Sequence, residues 1–254
     1  MNDVCIVDNL SFSYSPSNKI IDNLSFKISN GEIVGVLGKN GSGKTTLINL
    51  MTGFLKKYSG SITIKGKEIN DYSLKERARI VSYIQQSRLS IPDYYYVEDF
   101  ILEGRRPFRK FGFYTEEDYE LLEKVLKKCS LEKYRKQHIN EISGGELQRC
   151  VFAKALMKQC DFFIFDEPTS EMDIKYQKEF FELLSIAKHE LNAAIVLSIH
   201  DINLSIKYCD RLIVLNSGEI LYDGKSKFIT KEILSEAFDT LVSAECTDSL
   251  HFYY

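Results

Sequence analysis

The sequence predicts an α/β fold built on a parallel sheet, and three observations carry that prediction. Apolar runs of strand length recur at 32–37, 162–165 and 193–199; unbroken runs of this kind mark strands buried on both faces. Helix-length segments at 45–52 and 174–190 stand between such strands, and strand, helix, strand order gives parallel pairing through crossovers. A Gly-rich loop, 38–43, joins the first apolar run to its helix.

The elements follow in order. Residues 4–14 mix β-branched and aromatic side chains with polar ones, and 20–28 do likewise before the turn pair Asn30-Gly31; both read as strands. The 45–52 helix has Gly53 as its C-terminal cap. Segments 61–64 and 80–84 read as further strands. The middle differs: 97–103, 116–129 and 146–159 carry helical periodicity. A helical insertion over about 87–160 is therefore expected, between core stretches 1–86 and 161–225 and ahead of a tail, 226–254. Residues 211–215 and 219–222 flank Asn216-Ser217-Gly218, a hairpin signal.

Composition sets outer bounds. The 254 residues, 44% hydrophobic and 27% charged, suit one large domain or one with an insertion, and exclude disordered and collagen-like chains. Lys plus Arg is 33 and Asp plus Glu 36, a formal charge of -3, which argues against a nucleic-acid partner. No apolar run approaches the roughly 20 residues of a membrane span. The first ten residues carry Asp3 and Asp8 and no basic stretch, unlike a signal peptide. A cytoplasmic protein is expected. The six cysteines form no C-x-x-C pair and read as buried free thiols in a reducing compartment.

Gly38-Lys39-Asn40-Gly41-Ser42-Gly43-Lys44-Thr45 matches the phosphate-loop pattern G-x-x-x-x-G-K-[ST] in full. Glycines let the backbone curl its amides inward onto phosphate oxygens, and the following helix aims its positive end at the same anion. Lys44 can reach the β and γ phosphates as a compact charge, and Thr45 offers a hydroxyl to Mg²⁺. Gly38, Asn40, Gly41, Ser42, Gly43, Lys44, Thr45 and Thr46 form the candidate nucleotide-binding set.

The run at 162–165 ends in Asp166 and Glu167. Acids at the C-terminal end of a parallel strand face the ligand crevice. Asp166 can hold Mg²⁺ through water, and Glu167 can orient or deprotonate an attacking water; the alternative is a pair that only caps the next helix. Ser143-Gly144-Gly145-Glu146 precedes an amphipathic run and reads as a capping box. Capping does not explain two adjacent glycines, which suit a backbone that an anion approaches closely. With a phosphate loop already present, the second anion site would meet a phosphate held by another copy of the chain.

Together these motifs resemble the nucleotide-binding subunit of ATP-binding-cassette (ABC) transporters, over residues 4–224. Ile142-Ser143-Gly144-Gly145-Glu146 stands where that family has Leu-Ser-Gly-Gly-Gln. The resemblance implies a RecA-like P-loop core, an antiparallel β subdomain near the N-terminus and an inserted helical subdomain. It implies ATP and Mg²⁺ as cofactors and an ATPase working as a head-to-tail homodimer. It also implies integral-membrane permease partners that hold the chain at the inner membrane face, with an external substrate-binding protein as an indirect partner. By the same resemblance Tyr14 stacks on adenine, Gln86 contacts Mg²⁺ and the attacking water, Asp173 belongs to the D-loop, and His200 senses the γ-phosphate. Of the two groups that could assist water attack, the carboxylate Glu167 is assigned as the base and His200 as the switch. His138, His189 and His251 read as structural.

Three departures from the family pattern stand out. Glu146 replaces Gln, Gln85 stands where Pro is common and leaves Gln85 and Gln86 as alternatives, and Ser170-Glu171-Met172-Asp173 replaces Ser-Ala-Leu-Asp. Non-transport relatives in DNA repair insert long coiled coils, and those in translation carry two cassettes; this chain does neither, and a metabolic kinase would not need the Ser-Gly-Gly-Glu turn. Glu103-Gly104-Arg105-Arg106-Pro107-Phe108 and the segment 229–238 resemble importer ATPases for iron-siderophore, haem and cobalamin. Zinc, manganese or another small nutrient are the alternative cargoes. The cluster Arg105, Arg106, Arg109 and Lys110 reads either as a solvated face or as a contact to the permease or to anionic lipid.

Overall fold

The structure is a computed structural model that describes residues 3–85, 95–109, 112–169, 172–246 and 250–253. The strands β1 (Asp3–Ser15) and β2 (Asn18–Ser29) pair antiparallel. Then β3 (Ile33–Leu37), buried at every position, passes through the Gly-rich loop into α1 (Lys44–Met51). β4 (Ser59–Ile64) returns to pair with β1, and β5 (Lys67–Glu68) completes an antiparallel sheet in the order β2-β1-β4-β5. α2 (Leu74–Ile80), opened by a capping box between Ser73 and Glu76, leads into β6 (Val81–Gln85). The helices α3 (Val97–Leu102), α4 (Glu116–Lys128) and α5 (Gly144–Leu156) come next. β7 (Phe162–Asp166), α6 (Ile174–Glu190), β8 (Ala194–Ser198), α7 (Ile202–Tyr208), β9 (Arg211–Asn216) and β10 (Glu219–Lys225) then alternate. α8 (Lys231–Phe238) and a hairpin of β11 (Ser243–Cys246) with β12 (Leu250–Tyr253) end the chain.

The second sheet has the order β10-β9-β3-β8-β7-β6, parallel throughout except for β10 against β9. Ser217 (φ 49°) and Gly218 (φ 86°) both sit in the left-handed region between β9 and β10, the backbone that a two-residue hairpin needs. Gly53 (φ 71°) closes α1 in the same region. The elements thus match the sequence reading apart from one to three residues at most ends. Short pieces such as β5, α2, α7 and α8 lie outside it.

Successive side chains of a strand go to opposite faces, and this divides the core. Val34, Val36, Ile164, Val196 and Ile213 join β1, β2 and α1 in one apolar cluster. Ile33, Leu37, Phe163, Phe165, Leu197 and Val214 join side chains of α3, α4, α5 and α6 in the other. Covering both faces is why β3, β7 and β8 read as unbroken apolar runs. The middle helices therefore share a core with the sheet. Cys5, Cys129, Cys150, Cys160 and Cys209 are free and buried, as expected, and burial pushes the Cys129 and Cys150 thiols up to about 12.

The arginine cluster corrects one expectation. Arg105 donates to Asp118 Oδ1 (2.6 Å) and to the Met157 carbonyl (3.2 Å), and Arg109 donates to Glu103 Oε1 (3.0 Å). Their guanidinium groups are consumed in fastening the helical middle, so they form no solvated face; Arg106 alone of the three is open, at 76% side-chain exposure. Lys110 lies outside the described residues.

Phe165 is the hub of the helical side. Its ring lies 5.3 Å from Phe180, 6.1 Å from Phe152 and 6.4 Å from Phe163, and it is fully buried. Truncating Phe165→Ala removes contacts to α5 and α6 together and should cost about 3–5 kcal/mol. Urea unfolding, with an unchanged slope and a lowered midpoint, measures it.

Candidate functional site

The strands β3, β7 and β8 run parallel side by side, with Val36 level with Ser198 and Phe165 level with Leu197. Their C-terminal ends therefore meet at one edge, where the Gly-rich loop, Asp166-Glu167 and Ser198-Ile199-His200 emerge together. Sheet geometry alone assembles segments far apart in sequence.

The loop from β3 to α1 needs glycine at two points. A Cβ on Gly38 would stand 2.3 Å from the Leu215 carbonyl oxygen and 2.6 Å from Ser42 Oγ. Gly43 caps α1 at φ 104° with no side-chain bond to the helix, and no acid lies in the first turn. The first amides of α1 thus keep their donors, and the helix's positive end is unopposed, for an anion. Lys44, 5% exposed, donates to the carbonyls of Gly38 (2.8 Å) and Lys39 (3.1 Å). Burial pulls its ammonium below the ordinary lysine value, and the Glu167 and Asp166 carboxylates oppose that pull.

Asp166, 6% exposed, ends β7. Thr45 Oγ1 donates to its Oδ1 at 3.3 Å, and Ser198 Oγ donates to the same oxygen at 2.7 Å. Ser198 Oγ also accepts the Glu167 amide at 2.7 Å. This bridge holds Glu167 as its backbone turns into the left-handed region (φ 50°), an uncommon conformation for glutamate. His200 Nε2 lies 2.6 Å from Glu167 Oε1. Ser198, wholly buried, is a residue that sequence reasoning missed; the signal was its place two positions before His200, at the end of an apolar strand.

An open cavity of about 350 Å³ is lined by Tyr14, Ile20, Asn40, Gly41, Gly43, Lys44, Thr45, Thr46 and Glu167. The Tyr14 ring is 60% exposed, and its hydroxyl lies 3.3 Å from Thr46 Oγ1. The structure thus brings Asn40, Gly41, Gly43, Lys44, Thr45 and Thr46 together with Tyr14 and Glu167 at one cavity, with Asp166 against Thr45 at its edge, while Gly38 and Ser42 of the loop do not line it. Gln85 is the register partner of Asp166, so β6 ends at the same edge; Gln86 lies outside the described residues. Thr45 Oγ1 and Asp166 Oδ1 are two hard oxygen donors in contact. Among the described residues no group of three His, Cys, Asp or Glu could cage a metal. The pair fits Mg²⁺, which takes few protein ligands and fills the rest from phosphate and water.

The 143–146 turn is elsewhere: none of its residues lines that cavity. Ser143 accepts the Glu146 amide (3.4 Å), and Glu146 Oε2 accepts the Ser143 amide (2.7 Å), the expected capping box. The two glycines have different reasons. Nothing lies within 4 Å of a Cβ on Gly144, whereas one on Gly145 would stand 2.1 Å from Tyr176 Cε1. An internal contact therefore already requires glycine at 145, whereas nothing in this chain crowds position 144. Asp173, exposed, caps α6 by accepting the Tyr176 amide at 3.0 Å; Ser170 and Glu171 of the same motif lie outside the described residues.

A strand, phosphate-cradling loop and helix beside a strand-end Asp-Glu pair define a P-loop nucleoside triphosphatase. The sequence profile of the ABC transporter family matches residues 21–170, and the chain belongs to that family, whose ATP-binding proteins are ATPases coupled to transport. An uncharacterized ABC transporter ATP-binding protein of Methanocaldococcus jannaschii is 35% identical over 232 residues, 91% of this chain and 90% of that protein. The petrobactin import ATP-binding protein YclP of Bacillus subtilis is 32% identical over 244 residues, 96% of each chain. A solved structure described as an inward-facing metal-chelate type ABC transporter superposes with a TM-score of 0.84 at 27% identity, covering 100% of this chain and 97% of that one. No helix among the described residues is long and apolar enough to cross a membrane.

The Ser198 bridge generates a prediction. Ser198→Ala removes the hydroxyl that accepts the Glu167 amide and donates to Asp166 Oδ1, and should cost about 1–3 kcal/mol of stability. Steady-state turnover should fall with nucleotide affinity retained, because the loop and Lys44 are untouched. Titration with a fluorescent ADP analogue alongside an ATPase assay separates the two.

Proposed function

We propose that this chain is the ATP-hydrolysing subunit of an ABC importer for an iron-siderophore or similar metal chelate. The observation that carries the catalytic part is the meeting of Lys44, Thr45, Asp166, Glu167 and His200 at one sheet edge. In this reading the loop amides and Lys44 hold the triphosphate, and Tyr14 stacks on adenine. Mg²⁺, when bound at Thr45 and Asp166 with Gln86, offsets phosphate charge. Glu167 aligns the water and accepts its proton as oxygen attacks the γ-phosphorus and the bond to the ADP oxygen breaks. His200 holds the Glu167 carboxylate and can donate to the γ-phosphate.

The absence of 143–146 from the cavity lining supports a head-to-tail homodimer. There Ser143, Gly144, Gly145 and Glu146 of one chain close over the nucleotide held by Lys44 of the other, with Asp173 at the same interface. The helical segment 87–160 would meet an integral-membrane permease, which keeps the chain on the cytoplasmic membrane face. An external binding protein takes part only through that permease, and no nucleic acid is involved. Petrobactin import by a relative and the metal-chelate type of the structural neighbour support the cargo class. Co-purification of the membrane partner, then identification of the ligand on its binding protein, tests the cargo.

The roles of Glu167 and His200 are separable in single-turnover assays. Glu167→Gln keeps shape but removes the base, so it should bind MgATP and hydrolyse it at least ~100-fold more slowly. A Gln variant that cleaves at near wild-type rate beside a dead His200→Ala variant would reverse the two assignments.

Light scattering of Glu167→Gln with MgATP should report a dimer. A monomer at saturating nucleotide would rule against the sandwich.

A further inference from the structure

We infer that Tyr176 is the positioning residue of the 143–146 turn, so that the first turn of α6 sets where the N-terminus of α5 stands. This rests on the reading above, in which that turn closes a partner chain's nucleotide.

The contact is close and specific. A Cβ on Gly145 would lie 2.1, 2.2 and 2.5 Å from Tyr176 Cε1, Cζ and Cδ1. The ring therefore occupies the space that any other residue at 145 would claim. Its backbone is fixed as well, because the Tyr176 amide donates to Asp173 Oδ1 at 3.0 Å. One residue is thus tied to the cap of α6 and packed on the start of α5.

The same turn of α6 is fastened to the segment leaving β7. Gln177 Nε2 donates to the Thr169 carbonyl at 3.3 Å, and the Met172 amide donates to that carbonyl at 3.2 Å. Thr169 is two residues beyond Glu167. The first turn of α6 therefore holds Thr169, just past Asp166-Glu167, on one side and the 143–146 turn on the other. Further along, Arg149 Nε and Glu179 Oε2 stand 4.0 Å apart across the two helices, too far to take over the alignment. A rigid ring with few torsions keeps such a spacing where a small side chain would leave the turn free to shift, and displacements near 1 Å lower rates steeply.

The test uses the full chain. In the Glu167→Gln background, Tyr176→Ala should keep affinity for a fluorescent ADP analogue within about twofold and raise the MgATP-dependent dimerisation midpoint about tenfold. Without the Gln change, Tyr176→Ala should lower kcat and leave that nucleotide affinity intact. Tyr176→Phe, which keeps the ring, should restore all three readings. Gly145→Ala should impair dimerisation as well, and its effect should not add to that of Tyr176→Ala, since both act on one contact. Dimerisation of Tyr176→Ala at the parent midpoint would overturn the inference, as would a Phe variant as impaired as the Ala variant. Loss of nucleotide binding together with dimerisation would make Tyr176 a general stability residue and also overturn it. A Glu167→Gln parent that stays monomeric would instead defeat the sandwich reading, and this inference with it.

Discussion

The parallel register of β3, β7 and β8 is the constraint on which the site depends. Val36 beside Ser198 and Phe165 beside Leu197 make the three strands end together. Only then can one hydroxyl, Ser198 Oγ, reach both Asp166 Oδ1 and the Glu167 amide. A one-residue slip would send Asp166 or Ser198 to the wrong face, because side chains alternate along a strand. The apolar clusters on both faces of the sheet fix that register. Core packing and site geometry are therefore one problem, and the phenylalanines of β7 serve the site by holding its strand in place.

Charge follows from the same geometry. One buried ammonium, Lys44, faces the carboxylates of Asp166 and Glu167. A triphosphate entering this cavity meets two like charges against one opposite charge, besides the amides of α1. A divalent cation corrects that balance, and Thr45 beside Asp166 supplies two oxygens for one. In the proposed mechanism a need for Mg²⁺ would thus arise from the same strand-end acids that are assigned to water attack. The uncapped start of α1 belongs to the same logic, since a capping side chain would compete with phosphate for the amides.

Much of this was legible in the sequence because the signals were local. The phosphate loop, the Asp166-Glu167 strand end and the capping box at Ser143 each lie within eight consecutive residues, and each formed as read. What escaped was non-local. Ser198 acts through partners more than thirty positions away in sequence. The reason for Gly145 lies on another helix. Arg105 and Arg109 looked like surface charge because their partners Asp118 and Glu103 meet them only once the helical middle has folded. Spacing reports what one element does for itself; it is silent on what two elements do for each other.

The contrast between α1 and α5 bears on the proposed pairing of two chains. Both helices start at glycines and both could receive an anion. At α1 the first-turn amides are unspent and Lys44 adds a full positive charge. At α5 the Ser143 hydroxyl takes the Glu146 amide, and the Glu146 carboxylate folds back onto the Ser143 amide. That leaves the amides of Gly144 and Gly145 as donors beside a carboxylate. A hydrogen bond from Tyr134, with those of Ser143 behind it, holds the carboxyl at about 2, so it is ionised at neutral pH. Such a turn is a poor anion site on its own, since a fixed negative charge sits at the helix end that should attract phosphate. In the proposed dimer it would act where another chain has already bound the phosphate at Lys44. In the proposed head-to-tail dimer, Glu at 146 would make closure follow nucleotide binding at the partner's loop, because the turn has too little attraction for phosphate to bind it first.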